Sequence, residues 1–203
     1  MPRPTKNEID AEIIDRAAGL FAKHGFENTS LQQIADAVRY SKAGLLHHYP
    51  SKNAIYEAVF STCLDSMQMM LASVEGLPPG MARDKAVVEY SVDFTYDWPG
   101  VSAFANRVAG NEEDVDPRLT EMGLVIYRAL GTDLANTTLE RIVRITSALS
   151  GLGITAMLAA RMNLRREWRE DIVTAAMNAL GHTSKRKPKP KPAPQLAPKP
   201  AAS

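Results

Sequence analysis

The sequence predicts an all-α fold of about nine helices, and three features predict it. Apolar residues recur at i, i+3, i+4 and i+7 in segment after segment, the period of one buried helix face. Alternating runs of β-branched residues are scarce. Breakers fall between the periodic segments: Gly25, Pro50, GLPPG at 76–80 and Trp98-Pro99-Gly100. A chain of 203 residues is long enough for one full core or two small ones.

Residues 1–7, MPRPTKN, read as a flexible arm carrying Arg3 and Lys6, which either frays or reaches a minor groove. The first helix spans about 8–24, with Ile9, Ile13, Ala17, Leu20 and Phe21 on one face and Asp10, Glu12 and Asp15 at its electropositive start. Gly25 ends it and Phe26 packs back. A short second helix follows a Thr29 or Ser30 cap, its stripe being Leu31, Ile34, Ala35 and Val38. Arg39 and Tyr40 break that period, and Ser41 caps a third helix that Pro50 stops. There Leu45 and Tyr49 face the second helix, while Lys42, Ala43, Gly44, Leu46, His47 and His48 face outward.

A fourth helix, from Ser51 to about Val74, carries Ile55, Val59, Thr62, Ser66 and Met70 in one stripe and is long enough to join two domains. Further helices are expected over 81–96, 101–109, 117–135, 139–162 and 166–180, with the loop GNEEDVDP before Pro117. The domains expected are the arm over 1–7, a compact helical unit over 8–60, a helical body over 61–182 and a tail over 183–203. The Lys-Pro tail holds too few apolar residues to offset its ordering entropy, so disorder is expected. It either adds nonspecific DNA affinity or solubilises the chain.

Two two-turn helices joined by a short turn have helix-turn-helix spacing, which solvated hairpins of all-α proteins share. The outward face has lysine, two histidines and small residues, and no carboxylate. Ala43 and Gly44 would let the backbone near base edges, and Lys42 and Lys52 would supply charge for phosphates. Residues 1–52 carry seven Lys/Arg against six Asp/Glu, 53–182 carry 11 against 17, and the tail six against none. A mildly acidic body between basic ends suits contact with nucleic acid at defined places.

The run AAGLFAKHGFENTSLQQIADAV (17–38), then S-K-x-x-L-x-H-H-Y-P-S-K (41–52), then a helix from about Ala54, resembles the DNA-binding domain of the tetracycline-repressor (TetR) family over Ala11–Phe60. Phe21, Gly25, Phe26, Thr29, Ile34, Ala35, Ser41, Leu45, His48 and Lys52 match together and in order. Two departures bear on the DNA sequence read. Arg39-Tyr40 stands where the family usually has a glycine-valine pair, and Leu46 where it usually has tyrosine. The resemblance implies a homodimeric transcriptional regulator, a repressor of a palindromic operator, with DNA-binding residues within 30–52. These are Ser30, Gln32, Gln33, Tyr40, Ser41, Lys42, Ala43, Gly44, Leu46, His47, His48, Tyr49 and Lys52.

It also implies a small-molecule effector enclosed by the middle helices, where Met67, Met70, Tyr90, Phe94, Trp98, Phe104 and Met122 supply apolar walls and Asn106, Arg107 and Tyr127 polar groups. The effector's identity is not readable. The last two body helices keep long stripes that must be buried within one chain or against a second copy: Leu139, Ile142, Val143, Thr146, Leu149, Gly153, Ala156, Met157 and Ala160, then Trp168, Ile172 and Ala176. By the resemblance they form a four-helix interface with their symmetry mates.

Other chemistry finds little support in the residues. His47 and His48 point about 100° apart on a helix and have no further ligands nearby, so no metal is expected. Glu112, Glu113 and Asp114 fall in a predicted loop, and phosphate-loop, G-x-S-x-G and H-E-x-x-H motifs are missing, so no enzyme and no cofactor are expected. Cys63 has no partner for a disulfide and reads as a core residue or a redox-sensing thiol. No apolar run approaches roughly 18 residues and no leader is seen, so a soluble, cytoplasmic protein is expected. The alternatives are a nonspecific or architectural DNA-binding protein and a helical small-molecule binder with a degenerate helix-turn-helix.

Overall fold

The computed structural model describes residues 5–108 and 117–182. Among them are nine α-helices and no strand: α1 (Lys6–His24), α2 (Leu31–Ala37), α3 (Lys42–His48), α4 (Lys52–Val74), α5 (Met81–Asp97), α6 (Pro99–Val108), α7 (Pro117–Ala129), α8 (Leu139–Arg161) and α9 (Arg165–Ala179). The loop carboxylates Glu112, Glu113 and Asp114, Arg3 and the tail lie outside the described residues.

Hydroxyls set the starts of the first four helices. Thr5 and Glu8 form a reciprocal capping box, so α1 begins at Lys6 and Lys6 is helical rather than part of a free arm. Ser30 and Gln33 form a second box, while Ser41 accepts from Gly44 N at 3.0 Å and Ser51 from Ala54 N at 3.1 Å. Gly25, at φ 82°, ends α1 and turns Phe26 back to 5.7 Å from the Phe21 ring. α7 stops at Ala129, short of the expected residue 135. Gly131, at φ 62°, lets Thr132 N reach back to the Tyr127 carbonyl at 2.8 Å, a helix-ending arrangement that satisfies the last carbonyls.

Two cores result. The first joins Ile13, Ala17 and Phe21 of α1, Ile34 and Ala35 of α2, Leu45 of α3 and Ile55 and Val59 of α4, together with Val101, Phe104 and Met122 from α6 and α7. The second joins Met70 and Val74 of α4 to α5, α8 and α9 through Val87, Val88, Val92, Ile145, Leu152, Ala156, Ile172 and Ala176. α4 therefore runs from one core into the other. Cys63 is wholly buried, and burial pushes its thiol up to about 12, leaving almost no thiolate near neutral pH. It is a core residue, not an exposed sensor.

α6 lies along α1 and is held at both ends. Asp15 Oδ1 accepts from Gly100 N at 2.7 Å and Val101 N at 3.1 Å, and Arg107 donates to the Phe21 and Ala22 carbonyls. A Cβ on Gly100 would stand 1.8 Å from the Asp15 carbonyl oxygen, so only glycine permits this approach. Elsewhere in the body, Asp84, 1% exposed, accepts with both oxygens from one nitrogen, Nη2, of Arg141 at 2.9 Å and lies 2.7 Å from His182 Nε2, fixing the end of the described chain.

α8 corrects one expectation. By length and composition Leu139–Arg161 is apolar enough to cross a membrane, with a mean hydropathy of 1.6 over its best window. Here it packs on α5, α6 and α9, with a third of that window buried.

Candidate nucleic-acid interface

α3 is fixed from beneath and bare above. Leu45 is fully buried against α2, and Tyr49 is half-buried on the same core. Lys42, Ala43 and His47 are exposed, Gly44 and Leu46 half-exposed, and α3 bears no acidic side chain. Its N-terminus, with Ser41, is therefore the part free to approach a partner. Ser30 and Gln33 hold each other in the cap of α2, and Gln32 donates to Asp36 at 2.7 Å; all are exposed beside α3.

One residue expected to face outward does not, and one expected to supply charge for phosphates also makes contacts within the chain. His48 turns onto α1, its Nδ1 2.7 Å from Asp10 Oδ1 and its side chain 12% exposed. Asp10, read only as a helix-dipole residue, is the missed partner, because a contact across 38 residues leaves no mark in local spacing. Lys52 directs its ammonium to the Phe26 carbonyl at 2.8 Å and lies 4.2 Å from the Phe26 ring centre, tying α4 to the end of α1. His48 thus holds α3 against α1, and Lys52 holds the start of α4 against the end of α1.

The turn shows what replaces the small pair. Arg39 sits at φ 58°, a conformation glycine adopts freely and arginine at a cost of about 1 kcal/mol. Tyr40 N closes the turn on the Ala35 carbonyl at 2.9 Å, and its ring packs edge-on against His48 at 5.7 Å. A Cβ at Gly44 would lie 3.2 Å from that ring, so Gly44 makes room for Tyr40 as well as baring the backbone.

In the body, a cavity of about 90 Å³ gathers five of the ten expected pocket residues: Met67, Met70, Tyr90, Phe94 and Asn106. Trp98 lies in an adjoining cleft, Phe104 and Met122 belong to the first core and Tyr127 packs on the second. Arg107 is bound to the α1 carbonyls instead and supplies no polar group to this cavity. The missed lining is hydroxyl-rich: Ser66, Ser91, Thr95 and Ser102, with Ser66 bonded to Tyr90 at 3.1 Å and Thr95 to Ser102 at 2.9 Å. Small hydroxyl residues in a helical stripe look like core until two such helices face each other.

The expected interface stripe divides in two. Gly153, Ala156, Ile172 and Ala176 are buried within the chain, and Ile142, Leu149, Met157, Ala160 and Trp168 are half-buried. Leu139 (81% exposed), Val143 (62%) and Thr146 face solvent, and Ile154 (65%) and Leu158, not expected, extend that face along α8. A groove of about 300 Å³ runs between α8 and α9, lined by Ser147, Gly151, Trp168 and Ala175 among others.

A capped, carboxylate-free helix standing on the first core, with one long helix running on into the second, defines a helix-turn-helix protein with a helical body. Residues 13–59 match the family described as bacterial regulatory proteins, tetR family, and the match is confined to this domain. The chain is 33% identical over 87 residues to the biofilm operon icaADBC negative transcriptional regulator IcaR of Staphylococcus aureus strain Newman, covering 43% of this chain and 41% of that one. It is 34% identical over 93 residues to the transcriptional regulator RutR of Escherichia coli K12, covering 44% and 42%. The chain thus spans about two fifths of the length of these curated relatives. Among solved structures, a candidate fatty acid metabolism regulator of Clostridium perfringens shares the fold over 86% of this chain and 100% of its own, with TM-score 0.54 and 19% identity.

Proposed function

We propose that this chain is a homodimeric, sequence-specific transcriptional regulator, a repressor that a small molecule releases from a palindromic site. The observation that carries the reading is α3 itself. Its N-terminal half is bare, lacks carboxylates and is capped by Ser41, while Leu45, and His48 through Asp10, fix its rear. Such a rod offers Lys42, Ala43 and the Gly44 backbone to base edges, with Ser30, Gln32, Gln33 and Tyr40 beside the phosphates. IcaR, matched over this same domain, is by name a negative regulator, which supports repression.

A dimer supplies the second reading head. The apolar face of α8, from Leu139 through Val143 and Ile154 to Leu158, is the surface that a second copy would cover. Effector response follows from the cavity. At about 90 Å³ it is well below the roughly 300–1,000 Å³ of ligand pockets, so a ligand must open it. Ser102, Ala105 and Asn106 of α6 line it, while Gly100, Val101 and Arg107 of the same helix hold α1. A ligand that favours a displaced α6 or α4 therefore favours a displaced head, and its differential affinity shifts the population.

The test is binding of the full chain to a pool of random duplexes at two salt concentrations. Enrichment of one symmetric sequence supports the reading. Binding without enrichment, with a steep salt slope, would replace it with nonspecific association.

A further inference from the structure

A cleft of about 540 Å³ lies where the head meets the body, apart from the reading helix and the small cavity. Its walls come from α1, from the α5–α6 corner and from the α8–α9 junction. Three arginines line it, Arg16 on α1, Arg161 at the end of α8 and Arg165 at the start of α9. All three are exposed, and among the described residues none has a carboxylate within ion-pair distance, whereas Arg118, Arg141, Arg144 and Arg169 each do. Tyr96, 7% exposed, forms part of the wall, and its hydroxyl is the one buried side-chain polar atom among the described residues without a hydrogen-bond partner. An unpaired buried hydroxyl costs about 1–3 kcal/mol, so a group that satisfies it has something to gain.

Three carboxylates also reach the cleft. Asp15 directs Oδ1 to the backbone of Gly100 and Val101; burial raises its pKa, while those two N–H groups and the charges of Arg16 and Arg165 pull it down. Glu12 and Asp97 are exposed at the wall. Arginine forks suit planar or tetrahedral oxyanions, and Trp98 adds an apolar surface beside them.

We propose that this cleft is a binding site for a small oxyanion-bearing molecule, a carboxylic acid or a phosphate ester. Its anionic group would sit among Arg16, Arg161 and Arg165 and draw out the Tyr96 hydroxyl, which is buried in the unliganded wall. Such a ligand touches α1 of the head and α8–α9 of the body together, so it braces one relative placement of the two.

The test uses the full chain with inorganic phosphate and citrate as probes, each titrated against sodium chloride at matched ionic strength. Melting temperature and Trp fluorescence are followed. The expected result is a saturable rise for at least one probe beyond that of chloride, with the stronger probe identifying phosphate or carboxylate as the preferred group. R161Q/R165Q, whose side chains are exposed, is expected to weaken that response at least tenfold. Y96F is expected to weaken it too while leaving the unliganded protein as stable or more so. No response beyond chloride from either probe, or an undiminished one in R161Q/R165Q, overturns the proposal. Neither outcome touches the DNA-binding reading, which does not use this cleft.

Discussion

The head and the body bury their residues by different logics. In the head each helix begins at a hydroxyl whose bond is made, at Thr5, Ser30, Ser41 and Ser51, and α1 to α3 each offer one apolar stripe to one core. In the body α5 and α9 start without a side-chain cap, and α8 is apolar on two faces, of which one is buried. A two-faced helix does not say from its period which face is inside. Local rules thus specify the head, whereas the body depends on which helices meet.

The sharpest way to break that contrast is at the seam. Gly100→Ala drives a methyl into the Asp15 carbonyl and must part α6 from α1, so a loss of about 3 kcal/mol or more is expected in urea unfolding. Gly151→Ala, where the added methyl meets nothing within 4 Å, is expected to gain up to about 1 kcal/mol of helix propensity. Next in size, Leu139→Glu with Val143→Glu charges the bare face of α8 and leaves the head intact. Sedimentation is expected to shift from twice 22.2 kDa to 22.2 kDa, with the circular dichroism of the fold retained.

Within the head, Arg39→Gly relieves the positive φ of the turn and is expected to stabilise by about 1 kcal/mol or less, read as a higher urea midpoint. Smallest is the effect of Asp15→Asn, which keeps the accepting oxygen for Gly100 and Val101 and removes a charge that burial disfavours. Because Asp15 holds its proton more tightly folded than unfolded, its contribution is greatest at low pH and is lost as pH rises through its raised pKa. The variant is expected to lose that part of the pH dependence, measured as unfolding free energy on either side of the carboxylate range.

The same contrast explains what the residues disclosed. Leu45, Ile34 and the caps of α2 to α4 are legible because a stripe and its cap lie within eight residues of each other. The contacts of His48 with Asp10 and of Lys52 with the Phe26 carbonyl leave no mark in local spacing, because the partners lie 38 and 26 residues away. Arg107 looked like a pocket cation until α6 lay along α1 and its guanidinium met the last carbonyls of that helix. In the stripe of α8 and α9, Gly153 and Ala156 point into the chain while Leu139 and Val143 point out. The sequence period joins them and only the packing separates them.

The most direct measurement is selection of bound duplexes from a random pool by the wild-type chain and by Lys42→Ala, both at moderate salt. The prediction is a two-fold symmetric motif whose half-site centres lie about one helical turn, roughly 34–36 Å, or somewhat more apart, with altered half-site preference for Lys42→Ala. Recovery of no motif, or of the same motif with unchanged preference from Lys42→Ala, would contradict the assignment of α3 as the reading helix.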